Sequence, residues 1–507
     1  MNFKRAPIFF IVSLLISLSG CGVFQPPSVE DIKEINIVAF NDFHGAIKED
    51  RNEGRLGIEK LGTYLKKKSN EENTLILSQG DDWQGSVYSN YNRGKLVNDV
   101  YAYCRVNART VGNHDFDWGV EPLEENTATG YDGYTTPVLA ANVYDYDFET
   151  KIEGNIQQTS IGVPTVTYTL ENGLKVGIVG IIGREQITSI TSSYTQDICF
   201  KEEISIVKQY ATELREDGCG VVILSAHSGQ DSLVGNELNK YVDLVLCGHT
   251  HRYESTTEDN LHYEQFGAYG ERIGNIKLTY NVKTKKTNYV SKETVNYNSI
   301  GNYVSSIDPT IHSLVEQYNS ECDSEANEVL ANNVTGTFKN SYEASNLMCK
   351  AVYDQCVAEG HNDVVLTYCN QARSALYSGS WSYANIYQAF PFDNVIYVET
   401  VKGWDILNEV AKYNNVYINP DFDCVIDPYS TYKIAVIDYL LYHTNAERRF
   451  DYFYYFDGTP DAQLSMNYRL IIRKWLKDNG YNNGVPLNAS DYSSYLSCFD
   501  RSRIVQA

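Results

Sequence analysis

One device recurs through the first 300 residues and limits what this chain can fold into. Short apolar runs end in polar, glycine-containing turns, and most of the chain's few histidines sit in those turns. The runs Ile35–Phe40, Thr74–Leu77, Val138–Ala141, Val176–Ile182, Val221–Leu224 and Leu244–Cys247 read as buried strands. Helical patterns at Gly57–Lys67 and Glu202–Glu216 lie between some of them. Strands alternating with helices predict a layered α/β architecture. Beyond Ile273 the segments Lys277–Tyr280 and Thr287–Val290, set around turn residues, predict a hairpin at a domain edge.

The chain has 507 residues, more than one typical domain. Asp308-Pro309 marks a helix start and Ile311–Tyr318 is amphipathic, so residues 303–332 read as a linker helix. A second domain is expected from Asn333. It has a helical pattern at Ser345–Ala358, strands at Val364–Tyr368 and Val395–Thr400, a helix near Trp404–Lys412 and a tyrosine-rich end. A net charge of −23 argues against a nucleic-acid polymer as partner, because gripping phosphate backbones relies on Lys and Arg.

Five of the nine histidines sit in polar or glycine-containing turns, most of them just after predicted strands. Asp42 and His44 stand in Asn41-Asp42-Phe43-His44-Gly45, Asp81 in Gly80-Asp81-Asp82, and Asn113 and His114 in Gly112-Asn113-His114-Asp115-Phe116-Asp117. His227 follows Val221–Leu224. His249 and His251 stand in Gly248-His249-Thr250-His251. Ligands of open α/β sheets bind beyond the carboxyl ends of the strands, so these turns are expected to converge at one edge. Imidazoles and carboxylates without thiolate suit hard to borderline divalent metals. Asp-x-His alone has little specificity, and two His two apart occur as often in a solvated turn. The five turns together are a strong signal.

These turns, with Gln265-Phe266-Gly267-Ala268-Tyr269-Gly270 after them, resemble the calcineurin-like metallophosphoesterases, and among those the secreted 5′-nucleotidase/UDP-sugar hydrolase family. The resemblance implies a four-layer catalytic domain, two β-sheets flanked by helices, over residues 34–302. The linker helix and a second, α+β, substrate-binding domain (333–507) would follow. It implies two divalent metal ions, such as Zn, Mn or Fe. One would be held by Asp42, His44 and His251, the other by Asn113, His227 and His249, with Asp81 bridging. Water on the metals would supply hydroxide for attack on phosphorus. His114 matches the family's catalytic histidine, and Asp117 the carboxylate that orients it. Asp115 stands where the family has Glu and reads as a turn-capping carboxylate.

In the second domain the family binds the nucleoside. The stretch Thr367-Tyr368-Cys369-Asn370-Gln371-Ala372-Arg373 lacks the family's three glycines but keeps Arg373 as a substrate contact. Phe392, in Phe390-Pro391-Phe392-Asp393-Asn394, would be one base-stacking ring. Phe453 would be the second, with core packing its alternative. The expected substrate is a small phosphate ester, a nucleotide first. Cyclic nucleotides, UDP-sugars or non-nucleotide esters are the alternatives, and a surface binding protein that lost turnover is a more distant one.

Lys4 and Arg5 precede an apolar stretch, Ile8–Leu18, of signal-peptide length and too short to span a bilayer. It ends in Leu18-Ser19-Gly20-Cys21, which resembles a bacterial lipobox, with a plain signal peptide as the alternative. Residues 1–20 would be removed, Cys21 would carry lipid, and residues 21–33 would be a tether to the outer face of a membrane. Ten cysteines then remain for an oxidising compartment. Cys349 and Cys356 share a helix face, either as packed thiols or as a bridge, and Cys247 reads as packed. Replacement of Cys21 by Ala is expected to leave the protein unprocessed or to release it from the membrane fraction. A processed, membrane-bound C21A would contradict the lipid anchor.

Overall fold

The computed structural model describes residues 31–128, 130–145, 159, 161–190, 194–195, 197–412, 416–419, 421–422, 425–441, 460–493 and 505–506. Cys21 and Phe453 lie outside them.

The apolar runs assemble into two six-stranded sheets packed face to face. One has the order Lys286–Asn296, Arg272–Asn281, Ile32–Phe40, Thr74–Ser78, Ala108–Thr110, Val138–Leu139. Its last four strands run parallel, and the hairpin that follows Ile273 adds the antiparallel edge. The other has the order Tyr253–Glu258, Leu261–Phe266, Leu244–Cys247, Val221–His227, Lys175–Ile182, Thr165–Thr169. Because side chains alternate across a strand, each sheet has two apolar faces. Ile35, Ile37 and Ala39 pack with Leu75 and Leu77 against Val176, Ile178, Val221, Ile223, Leu244 and Leu246 of the facing sheet. On its outer face Val38, Phe40 and Ile76 join Leu61, Leu65, Val97 and Val100 of the helices Gly57–Lys68 and Lys95–Tyr103. On the outer face of the second sheet, Val179, Ile181, Val222 and Leu224 join Val207, Ala211 and Leu214 of the helix Glu203–Glu216. The result is helix, sheet, sheet, helix.

The strand expected at Val138–Ala141 spans only Val138–Leu139, and the short parallel strand Ala108–Thr110 carries a charged residue, Arg109. The linker helix runs Pro309–Ala326. Asp308 caps it by accepting from the backbone N–H groups of Thr310 and Ile311 at 2.9 and 3.2 Å. It is no free connector. Ile311 and Val315 are buried in the same apolar cluster as the first sheet's helices, and the Tyr318 hydroxyl donates to Asp99 at 2.5 Å.

The C-terminal part has a three-stranded sheet (Gly379–Ser382, Val329–Thr335, Leu487–Asn488). Its five-stranded sheet has the order Val416–Ile418, Val364–Tyr368, Thr431–Ile437, Val395–Lys402, Ala462–Asn467. The helices Glu343–Ala358 and Tyr468–Asp478 pack alongside. Cys349 and Cys356 are buried thiols on one helix. Seven residues at 1.5 Å rise put their Cα atoms about 10 Å apart, beyond the roughly 7 Å that a disulfide spans, so this pair does not bridge. No helix among the described residues is long and apolar enough to cross a membrane.

Candidate metal centre

Parallel strands of both sheets end at one edge, and five of them hand on a turn that carries one or two of the predicted residues. Asp42 and His44 follow Ile32–Phe40, Asp81 follows Thr74–Ser78, and Asn113 and His114 follow Ala108–Thr110. His227 ends its strand, and His249 and His251 follow Leu244–Cys247. The structure brings all seven predicted ligands together. Donor atoms of Asp42, His44 and His251 lie within 4.8 Å of one another, and so do those of Asp81, His227 and His249. Asn113 Oδ1 stands 3.1 Å from His227 Nε2 and 2.9 Å from His249 Nδ1. The two groups meet at Asp81, whose Oδ2 lies 3.2 Å from His227 Nε2 and 3.8 Å from His44 Nε2.

The backbone bends sharply to do this. Asp42, His44, Asp81, His249 and His251 all have positive φ, between 49° and 74°. Left-handed backbone is uncommon outside glycine and clusters at functional sites, where surrounding packing must enforce it. Glycine makes the room. A Cβ on Gly112 would lie 2.1 Å from Asp81 Oδ1, and one on Gly80 2.9 Å from His227 Nδ1.

Outer hydrogen bonds orient the ring nitrogens. His44 Nδ1 lies 2.9 Å from the Gln84 carbonyl, and His227 Nδ1 lies 2.7 Å from the Gln79 carbonyl. With Nδ1 donating, His44 keeps its Nε2 lone pair for the site, whereas burial is outweighed at His227 by Asp81 and Asp42, which raise it to about 9, so its Nε2 carries a proton that a cation would displace. Asp42 is held by the backbone N–H of His249 at 2.9 Å and by Asn41 Nδ2 at 2.6 Å. Asp81 Oδ1 accepts from the backbone N–H of His114 at 2.8 Å.

Burial pushes Asp42 up to about 7, against the pull of His227 and with a push from Asp81. Asp81 is also buried, but His227 and His114 outweigh that and hold it well below the usual carboxylate range. Burial, with the added charge of neighbouring groups, lowers His249 and His251 to about 3 and His44 well below its ordinary value. These three imidazoles therefore stay neutral, the form that ligates a cation. Four imidazoles, two buried carboxylates and an amide oxygen, with no thiolate, fit two hard to borderline divalent cations.

His114 is built differently. Its Nδ1 lies 2.9 Å from Asp117 Oδ2. Burial works against its protonation, yet Asp117 and Asp81 outweigh burial and raise its pKa above the ordinary imidazole value. Asp115 accepts from the Gly112 N–H at 2.8 Å and pairs at 2.6 Å with the buried Arg109, so it closes the turn, as expected. Arg109 also stacks on Trp83, 3.9 Å from its ring centroid. An arginine at the centre of a three-residue strand is the sequence signal for this buried pair.

The C-terminal part closes the site. A cavity of about 350 Å³ runs from Asp81, His114, His249 and His251 to Arg373 and Phe392. The Phe392 ring stacks on the His114 imidazole, with centroids 5.3 Å apart and planes 24° apart. Its turn is knotted by Arg469, which donates to the Phe392 carbonyl at 2.7 Å and pairs with Asp393. The Pro391 carbonyl accepts from Gln84 Nε2 at 3.2 Å, across the seam. Arg373 lines the same cavity, and its charge, after burial, helps to lower His44, His249 and His251. Tyr269, to which sequence reasoning gave no role, hydrogen-bonds Arg373 and lies 5.1 and 5.3 Å from the His44 and His251 rings.

Residues 35–253 match the calcineurin-like phosphoesterase family. The chain is similar to a 5′-nucleotidase of Diplobatis ommata (27% identity, 49% of this chain, 46% of that protein). It is also similar to an endonuclease, YhcR, of Bacillus subtilis (23% identity, 76% of this chain, 33% of that protein). It thus spans half or less of the length of these curated relatives. It shares its fold with a 5′-nucleotidase precursor of Thermus thermophilus, at a TM-score of 0.70 and 17% identity over 88% of this chain and 97% of that one.

If Asp81 joins the two ligand groups, its removal leaves two cations repelling each other at short range. Asp81→Ala is therefore expected to lose at least one of two divalent ions per chain by elemental analysis. Full metal content in this variant would contradict the bridging role.

Proposed function

We propose, taking residues 35–253 as a calcineurin-like metallophosphoesterase domain, that this chain hydrolyses phosphate esters of small molecules, nucleotides first among them. Residues 34–302 would carry the chemistry and 333–507 the substrate contacts, joined by the linker 303–332 with its helix Pro309–Ala326. The observation that carries the reading is the convergence of seven ligand side chains from separate turns, five of them on left-handed backbone, beside a histidine held by a carboxylate.

Asp42, His44 and His251 would hold one divalent cation and Asn113, His227 and His249 the other, with Asp81 shared. When bound, the cations supply Lewis acidity and an activated water. The protein's own groups do the rest. His114, charged and fixed through Nδ1 by Asp117, keeps Nε2–H for a phosphoryl oxygen or the departing alkoxide. Arg373 adds a fixed positive charge beside the same phosphoryl group. Phe392 lies against His114, so its ring would both shield that imidazole from water and offer a face to the alcohol part of the ester. Phe453, which lies outside the described residues, would be the second stacking ring.

The apolar stretch Ile8–Leu18 ending in Leu18-Ser19-Gly20-Cys21 supports export, with lipid anchoring at a membrane through Cys21. A polymer substrate, as the endonuclease relative acts on, finds no support in a net charge of −23.

A phosphate-release screen across nucleoside monophosphates, cyclic nucleotides, sugar nucleotides and simple aryl phosphates tests the reading. Release should require divalent metal and stop on chelation. His114→Ala should keep its metals and lose about 10²–10⁴-fold in turnover, the usual contribution of a general acid or base. Metal loss in H114A would make His114 a ligand. Metal-loaded protein that releases phosphate from no ester would favour the binding-protein alternative.

A further inference from the structure

A second cavity, of about 470 Å³, lies at the seam between the catalytic sheets, the end of the linker helix and the helix Tyr383–Ala389. That is ample for a small ligand. Both charge signs line it, but the two signs are not equally free. The Glu49 carboxylate is taken by Lys60 at 2.8 Å and by the Tyr297 hydroxyl at 2.5 Å. Asp50 accepts from the backbone N–H groups of Asn52 and Glu53 at 2.9 and 3.3 Å. Asp323 accepts from the Tyr88 hydroxyl and from Asn327 Nδ2 at 3.4 Å.

The two cations have no such partners among the described residues. Lys48 rests on the Tyr88 ring, with Nζ 4.5 Å from its centroid. Arg55 is 5% exposed, its Nε is buried without a hydrogen-bond partner, and its guanidinium lies over the Tyr269 ring at 4.3 Å. A buried guanidinium with unspent donors is costly unless an anion meets it. Guanidinium geometry matches a planar carboxylate or a phosphate through two parallel hydrogen bonds.

We infer that this seam cavity is a binding site for a small oxyanion, held by Arg55 with Lys48 as the second charge. Inorganic phosphate and a small carboxylate share that chemistry. The site abuts the metal centre through Tyr269, whose ring contacts Arg55, His44 and His251. An occupant would therefore fix the ring that Arg373 hydrogen-bonds.

Calorimetric titration of the metal-loaded full chain with inorganic phosphate, and separately with malonate, tests this without any turnover. The expected result is a class of anion sites in the wild type that Arg55→Gln removes and Lys48→Ala weakens by about tenfold. Arg55→Lys should retain part of it. Phosphate and malonate isotherms then tell the two anion classes apart. Lys48 is exposed, so its variant reports even if the Arg55 variants fold poorly. Isotherms of R55Q and K48A that superimpose on the wild type would overturn the inference. The outcome is independent of whether any ester is hydrolysed, so it can fail while the proposed activity stands.

Discussion

Everything at the candidate metal centre turns on two carboxylates, Asp42 and Asp81, buried almost completely among imidazoles. A buried anion must be paired or neutralised. Within the protein the pairing is uneven. Asp81 draws on His227 and His114 and stays ionised, while Asp42 is driven toward neutrality. Divalent cations would resolve that imbalance. His44, His249 and His251 are already held neutral and aimed inward, in the state a cation needs. Burial thus prepares the imidazoles as ligands at the same time as it makes a positive charge beside Asp42 favourable.

The left-handed turns are the second constraint. Five ligand residues occupy a backbone region that L-residues avoid. What enforces it is the stack of parallel strands beneath, whose ends fix where each turn begins. His114 stands apart from this group, inside a 3₁₀ turn capped by Asp115. Its outer face is covered by Phe392, delivered from the other part of the chain and fixed by Arg469. The candidate ligands belong to the sheet edge, whereas the environment of His114 is shared across the seam.

Much of this was legible in the sequence because the signals were local. Strand ends in Ile35–Phe40, Val221–Leu224 and Leu244–Cys247, each followed by Asp or His in a polar turn, are short-range patterns. The strand Ala108–Thr110 was missed because it is three residues long and carries Arg109, whose partner Asp115 becomes visible only when the turn closes. Tyr269, Arg469 and Arg55 act through contacts 76 to more than 200 residues away in the chain, which no local pattern reports. The position of Phe392 shows the same limit. The motif suggests a base-stacking ring, and only the fold shows that this ring also lies directly on His114.

The account's central claim is that this edge of the double sheet is a two-cation site. Anomalous diffraction from crystals of the purified chain measures that directly. Two anomalous peaks per chain should appear, one among Asp42, His44 and His251 and one among Asn113, His227 and His249, with Asp81 between them. A single peak, or peaks bound elsewhere while these side chains keep only one another, would contradict it.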